Sequence, residues 1–168
     1  MTGWLRAALV LLPFSLAACA SAPASRTATF QEAEYHAYAG AGDASVSGQV
    51  SMRTEERYVT SGGGCKEVLL EPVTSYTTEW FEREVIKNEP LGAPDPRALT
   101  YRRTTQTDGT GHFHFERLPA GSYYFACLMQ WDRWIMQGTR PVMFEEAVWV
   151  HGRLTLRPGE HGRVVLSH

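Results

Sequence analysis

Thr107-Asp108-Gly109-Thr110-Gly111-His112-Phe113-His114-Phe115, continued by Leu118-Pro119-Ala120-Gly121-Ser122-Tyr123, is the stretch from which the fold is read. Asp with two glycines has the composition of a tight turn, because Asp hydrogen-bonds nearby backbone and glycine takes positive φ without steric cost. The turn predicts a hairpin between a strand over residues 100–107 and one opening at His112. Phe113 and Phe115 then alternate with His112, His114 and Glu116, the period-2 pattern of a strand with one face in a core. The Leu-Pro-Ala-Gly corner turns the chain again into Tyr123, Phe125, Cys127 and Met129, a second alternating run with a bulky inward face.

The same reading extends in both directions. Residues 45–52 alternate, with Val46, Gly48, Val50 and Met52 on one face and Ser45, Ser47, Gln49 and Ser51 on the other. Glycines 62 to 64 precede a strand over 65–73, where Val68 and Leu70 face one way and Glu67 and Glu71 do not. Thr77 predicts the N-cap of a short helix over 77–87, with Glu79 in the first turn, Phe81 and Val85 four apart, and Pro90 beyond. Three prolines make 88–96 a loop. A further loop is expected from Trp131 to Pro141. Residues 148–156 and 164–166 flank Arg157-Pro158-Gly159-Glu160 as a closing hairpin. About seven short strands and one inserted helix give an all-β antiparallel sandwich over residues 42–168.

The run from Thr107 to Phe115 with its Pro-Ala-Gly corner resembles the signature of carboxypeptidase regulatory-like domains, which are transthyretin-like β-sandwiches. The resemblance covers roughly residues 43–130. Glu34-Tyr35, Ser47-Gly48-Gln49 and the segment from Pro72 to Phe81 are also similar to single-domain bacterial lipoproteins or secreted proteins bearing this domain. The resemblance implies an accessory, non-catalytic sandwich with no activity to carry over. The motif inventory agrees: none of the six histidines is followed by glutamate three residues later, as a carboxypeptidase zinc site needs. No Gly-x-Ser-x-Gly elbow, Cys-x-x-Cys pair or glycine-rich phosphate loop is present. The expectation is a protein that is not an enzyme and carries no cofactor.

The N-terminus supplies an address. Arg6, an apolar run from Ala7 to Leu12, Pro13 and small residues up to Cys19 have the layout of a secretory signal, and the run is too short to span a membrane. Leu16-Ala17-Ala18-Cys19 resembles the bacterial lipobox, which implies cleavage after residue 18 and acylation of Cys19. Residues 19–41 are then the lipidated cysteine and a tether. Multiple acyl chains anchor stably where one does not. Ala20-Ser21, with no aspartate directly after the cysteine, resembles the proteobacterial sorting pattern that implies the outer membrane, facing the periplasm. The rival cut, after Ala-x-Ala triplets at residues 18–20 or 20–22, leaves a soluble periplasmic protein.

Removal of the leader leaves 15 basic against 18 acidic residues, about −3, and no basic stripe, so nucleic acid is not expected as a partner. Cys65 and Cys127 are the only other cysteines; in an oxidising compartment they are a candidate disulfide, the alternative being two small buried hydrophobes. His112 and His114, with Glu116 beyond, are weak metal candidates that need a third ligand such as His151 or His161. Trp131-Asp132-Arg133-Trp134 sets two indoles beside a carboxylate and a guanidinium and is the candidate ligand site, able to stack on a sugar if both tryptophans are exposed. The function expected is a lipid-anchored binding or scaffolding module of the bacterial envelope. Its partner is an envelope protein or glycan, and carbohydrate binding is the specific alternative.

Overall fold

The computed structural model describes residues 22–53, 58–59 and 65–168. A short helix α1 (Glu32–Tyr35) and a 3-10 turn (His36–Tyr38) precede β1 (Ala44–Val50), β2 (Met52–Arg53), β3 (Tyr58–Val59) and β4 (Val68–Pro72). Then come α2 (Ser75–Trp80), continued as a π-helix (Phe81–Ile86), and α3 (Pro96–Leu99). Five strands close the chain: β5 (Arg103–Thr105), β6 (His112–Leu118), β7 (Gly121–Gln137), β8 (Arg140–Leu156) and β9 (His161–Leu166). Two main sheets, β6-β1-β9 and β5-β4-β7-β8, make a seven-stranded sandwich, as expected. All pairings are antiparallel except β1 with β9.

The core between the sheets is built by the alternating residues. Val46, Val50, Phe113, Phe115 and Leu166 from one sheet meet Val68, Leu70, Tyr123, Phe125, Cys127 and Val150 from the other, all buried. Gly48 is required where it stands: a Cβ there would lie 2.2 Å from the Phe113 ring, so the phenylalanine seats itself on bare backbone.

Both predicted hairpins turn out to be crossovers. Asp108 accepts from the Thr110 and His112 amides and the Gly111 amide bonds back to the Asp108 carbonyl, so the turn forms as read. Yet β5 belongs to the four-stranded sheet and β6 pairs with β1. The turn after Leu156 likewise carries the chain to β9 in the facing sheet, with one bridge, His151 to Ser167, back to β8. Turn chemistry is local and does not choose the strand's partner.

Three boundaries also move. The helix N-cap is Thr74, not Thr77: Thr74 accepts from the Thr77 amide, and Thr77 at N3 accepts from the Thr74 amide, completing a capping box. Asp95 caps a further short helix, Pro96–Leu99, so the third strand starts at Arg103 rather than residue 100. Residues 24–41 are not a free tether. Ala24 bridges Leu91, Tyr35 is fully buried against Tyr76 and Ala98, and Tyr38 packs edge-on to Tyr123. Isolated aromatics in a small-residue segment have no period to reveal them.

That segment is clamped to the helix through Glu79, which accepts from the Thr27 and Ala28 amides, the Thr27 hydroxyl and Arg83. Burial pushes the Glu79 pKa up, but these donors outweigh it and hold the carboxyl at about 2. A depressed folded-state pKa stabilises above the ordinary value near 4.5, and that contribution is lost as pH falls through about 2. Glu79→Gln is expected to raise hydrogen exchange at Thr27 and Ala28 at neutral pH and to flatten the acid limb of stability between those values. Unchanged protection of both amides would refute the clamp.

Candidate functional site

The feature that breaks the proportions of the sandwich is the β7-β8 ribbon. Each strand has 17 residues, about three times the usual length. β4 pairs with β7 over Tyr123–Ala126, and Cys65 adds a bridge to Met129. β7 and β8 pair on to Gln137 and Arg140, across the turn Gly138-Thr139 with Gly138 at φ 64°. Residues 131–146 therefore form an arm, not the loop expected from Trp131 to Pro141. Seven residues at 3.4 Å per residue give it a reach of roughly 20 Å. Gly-X is the two-residue turn that suits a right-twisted ribbon, and Gly138-Thr139 was the sequence signal that could have located it.

Directly paired residues share a face, and faces alternate along each strand. Trp131, Arg133 and Ile135 share one face with Glu146, Phe144 and Val142; Asp132, Trp134 and Met136 share the other with Glu145, Met143 and Pro141. The two tryptophans, three residues apart on one strand, therefore point to opposite sides and make no common platform. Trp131 is the last side chain of the core and packs partly buried against it. Trp134 is 65% exposed and stands beside Met143, with the Asp132–Glu145 pair next toward the body. Arg133 bonds Glu146 at 2.9 Å, and Gln130 donates to Glu145 at 3.4 Å. The outer face thus offers one open indole and a row of hydrogen-bonding side chains.

His112 and His114 lie on the outer face of β6-β1-β9, beside a groove of about 660 Å³ also lined by Ser47, Gln106 and Asp108. His112 Nδ1 meets Thr110 Oγ1 at 2.7 Å, His114 Nδ1 meets Ser47 Oγ at 3.0 Å, and His161 Nδ1 meets Ser45 Oγ at 2.6 Å. His114 Nε2 lies 3.3 Å from Glu116. The ligands considered for a third position do not converge. His161 is on β9, with β1 between it and β6, and His151 lies against Phe81 on the far side of the other sheet. Burial lowers the pKa of His151. Among the described residues no group of three His, Cys, Asp or Glu side chains is placed to hold a metal ion.

Cys65 and Cys127 form a disulfide with Cα atoms 5.9 Å apart, both cysteines being buried in the core. Cys19 lies outside the described residues. No helix among the described residues is long and apolar enough to cross a membrane.

These features define an all-β sandwich whose outstanding surface is a projecting ribbon with an open tryptophan. A similar architecture occurs in the 2.61 Å crystal structure of a Pseudomonas aeruginosa protein described as a "putative carbohydrate binding protein". The two share 26% identity with a TM-score of 0.70, over 83% of this chain and 97% of that one. Neither a protein-family model nor a curated protein matches this chain.

Proposed function

We propose that this protein is a non-catalytic carbohydrate-binding module, a sandwich of the carboxypeptidase regulatory-like kind held on the periplasmic side of the outer membrane by acyl chains on Cys19. The observation that carries the sugar reading is the exposure of Trp134 on the same ribbon face as Asp132 and Glu145. An indole offers the apolar face of a sugar ring a flat partner, while carboxylates accept from its hydroxyls. The description of the P. aeruginosa neighbour supports the same ligand class. In this reading one tryptophan stacks and the other supports the arm.

The test is retention of envelope polysaccharides by the immobilised protein, followed by calorimetry on the fragments retained. Trp134→Ala is expected to weaken binding at least tenfold, equivalent to about 1.4 kcal/mol, with the melting temperature unchanged. Trp131→Ala is expected to lower the melting temperature because it leaves a void at the end of the core. Glycan retained equally by the parent and Trp134→Ala would remove the arm from the proposal.

A further inference from the structure

Beyond glycan binding, we infer that the tip of the β7-β8 arm docks into the lipid bilayer surface and acts as a second, protein-borne membrane contact. Sugar recognition is not required for this inference, but it does rest on the reading of Cys19 as the acylated residue.

Three observations point to lipid. First, the band just behind the polar turn Gln137–Arg140 is apolar on both faces. Ile135 pairs with Val142 on one side, and on the other Trp134 pairs with Met143 and Met136 with Pro141. Of the eight exposed large apolar side chains among the described residues, Trp134, Ile135, Met136, Met143 and Phe144 lie on this arm. A ribbon resting against its own body would need only one apolar face; one entering a membrane surface needs two. β7 and β8 pair with each other out to the turn but leave their outer edges unpaired, so the arm lies in the headgroup region, where water and lipid polar groups satisfy them, and not in the hydrocarbon.

Second, the chain's N-terminal segment heads toward the same end of the molecule. The helix starts beside Ser122, where the Val73 amide bonds the Ser122 carbonyl, and advances to Trp149, the partner of Leu128. It therefore runs in the sense of β7, toward the arm. From α1 toward the N-terminus the chain runs along it: Glu34 of α1 bonds Ser75 at the helix start, Thr27 bonds Glu79 in the middle, and the Ser25 carbonyl accepts from Arg83 farther along, with the Ala24 amide bonding Pro90 beside it. Going toward the N-terminus, the chain thus proceeds to the arm side, and Cys19 precedes Ala22 by only three residues. Three extended residues span at most about 11 Å, so an acylated Cys19 holds this end of the body close to the membrane. Ile86, 49% exposed, lies at the same helix end.

Third, polar groups bracket the apolar band as an interface demands. Asp132, Arg133, Glu145 and Glu146 sit on the body side of it. Trp134 stands at the boundary, the depth at which indoles are favoured. Arg140, at the turn, has a stem long enough to carry its guanidinium back to lipid phosphate.

The test uses the full acylated chain in phosphatidylethanolamine and phosphatidylglycerol vesicles whose acyl chains carry bromine, a short-range quencher of tryptophan emission. Trp134 emission, isolated as the difference between the parent and Trp134→Phe, is expected to fall by more than half. The double variant Ile135→Glu, Val142→Glu should abolish that quenching while its melting temperature and its glycan retention stay at the parent level. Quenching that is absent from the parent, or that persists in the double variant, overturns the inference. Labelled palmitate incorporated into the parent but not into Cys19→Ala reports the acylation reading separately. If no label enters, the same quenching is read on the unacylated chain with excess vesicles, and its absence there also overturns the inference.

Discussion

Opening the Cys65–Cys127 disulfide is expected to cost about 4 kcal/mol of stability. The bridge spans 62 residues of sequence, and in the chain-entropy model closing a loop of that size restricts the unfolded ensemble by roughly that amount. For a domain of this size each kcal/mol moves the melting temperature by about 2–4 °C, so the bridge contributes on the order of 10 °C. The bridge ties the start of the β4 segment to the middle of β7, at the level where the arm leaves the sheet. Its loss should therefore loosen the base of the arm before the rest of the sandwich. Calorimetry on the parent with and without reductant, alongside Cys65→Ala, Cys127→Ala, checks this. The reductant arm matters because Cys127 is fully buried, so its replacement also removes packing. A reduced parent melting within about 2 °C of the oxidised one would overturn the expectation.

Arg102→Ala is expected to cost about 3 kcal/mol at pH 7, the scale of removing one partner from a buried ion pair. Glu71 is only 3% exposed, on the helix-facing side of β4, and its carboxylate is held by Arg102 Nε at 2.5 Å. Burial pushes the Glu71 pKa above the ordinary 4.5, while the charge and hydrogen bond of Arg102 oppose the shift and Arg26 adds to that opposition. The sign follows from the direction. A carboxyl whose folded-state pKa is raised favours the fold when protonated, below its unfolded value, and this contribution is lost as pH rises through the folded value. Without Arg102 the buried charge stands uncompensated at pH 7. The deficit should therefore shrink as pH falls and the folded protein takes up the proton. Urea unfolding at pH 7 and pH 5 measures the change, and Glu71→Gln in the Arg102→Ala background should recover most of the loss. An equal deficit at both pH values, with no recovery by glutamine, would show that the cost is lost packing of Arg102 against Trp80 instead.

Glu71 illustrates how far a sequence can be read. Alternation around Val68 and Leu70 placed Glu67 and Glu71 on the side away from the core, and Glu71 is indeed on that side. Alternation could not report that this side is covered by a helix, Trp80 and Arg102, because a period-2 pattern distinguishes the two faces of a strand without saying what lies against either. The arm is the same case reversed. Trp131-Asp132-Arg133-Trp134 lacks apolar alternation because both faces of the ribbon are open beyond the body, so the period-2 pattern gives no strand signal there.

Read alone, the sequence determined the fold class, the core-facing residues of β1, β4, β6 and β7, the two tight turns and the one pair of cysteines available to bridge, because periodicity and turn chemistry act over a few residues. Only the tertiary structure decided that both turns cross between sheets, that residues 24–38 pack onto the helix, the loop after it and the start of β7, and that β7 and β8 outrun their neighbours into an arm with its tryptophans on opposite faces. Those outcomes depend on which distant strand completes a row of backbone hydrogen bonds and which distant surface covers an apolar face. No local spacing of residues encodes such choices.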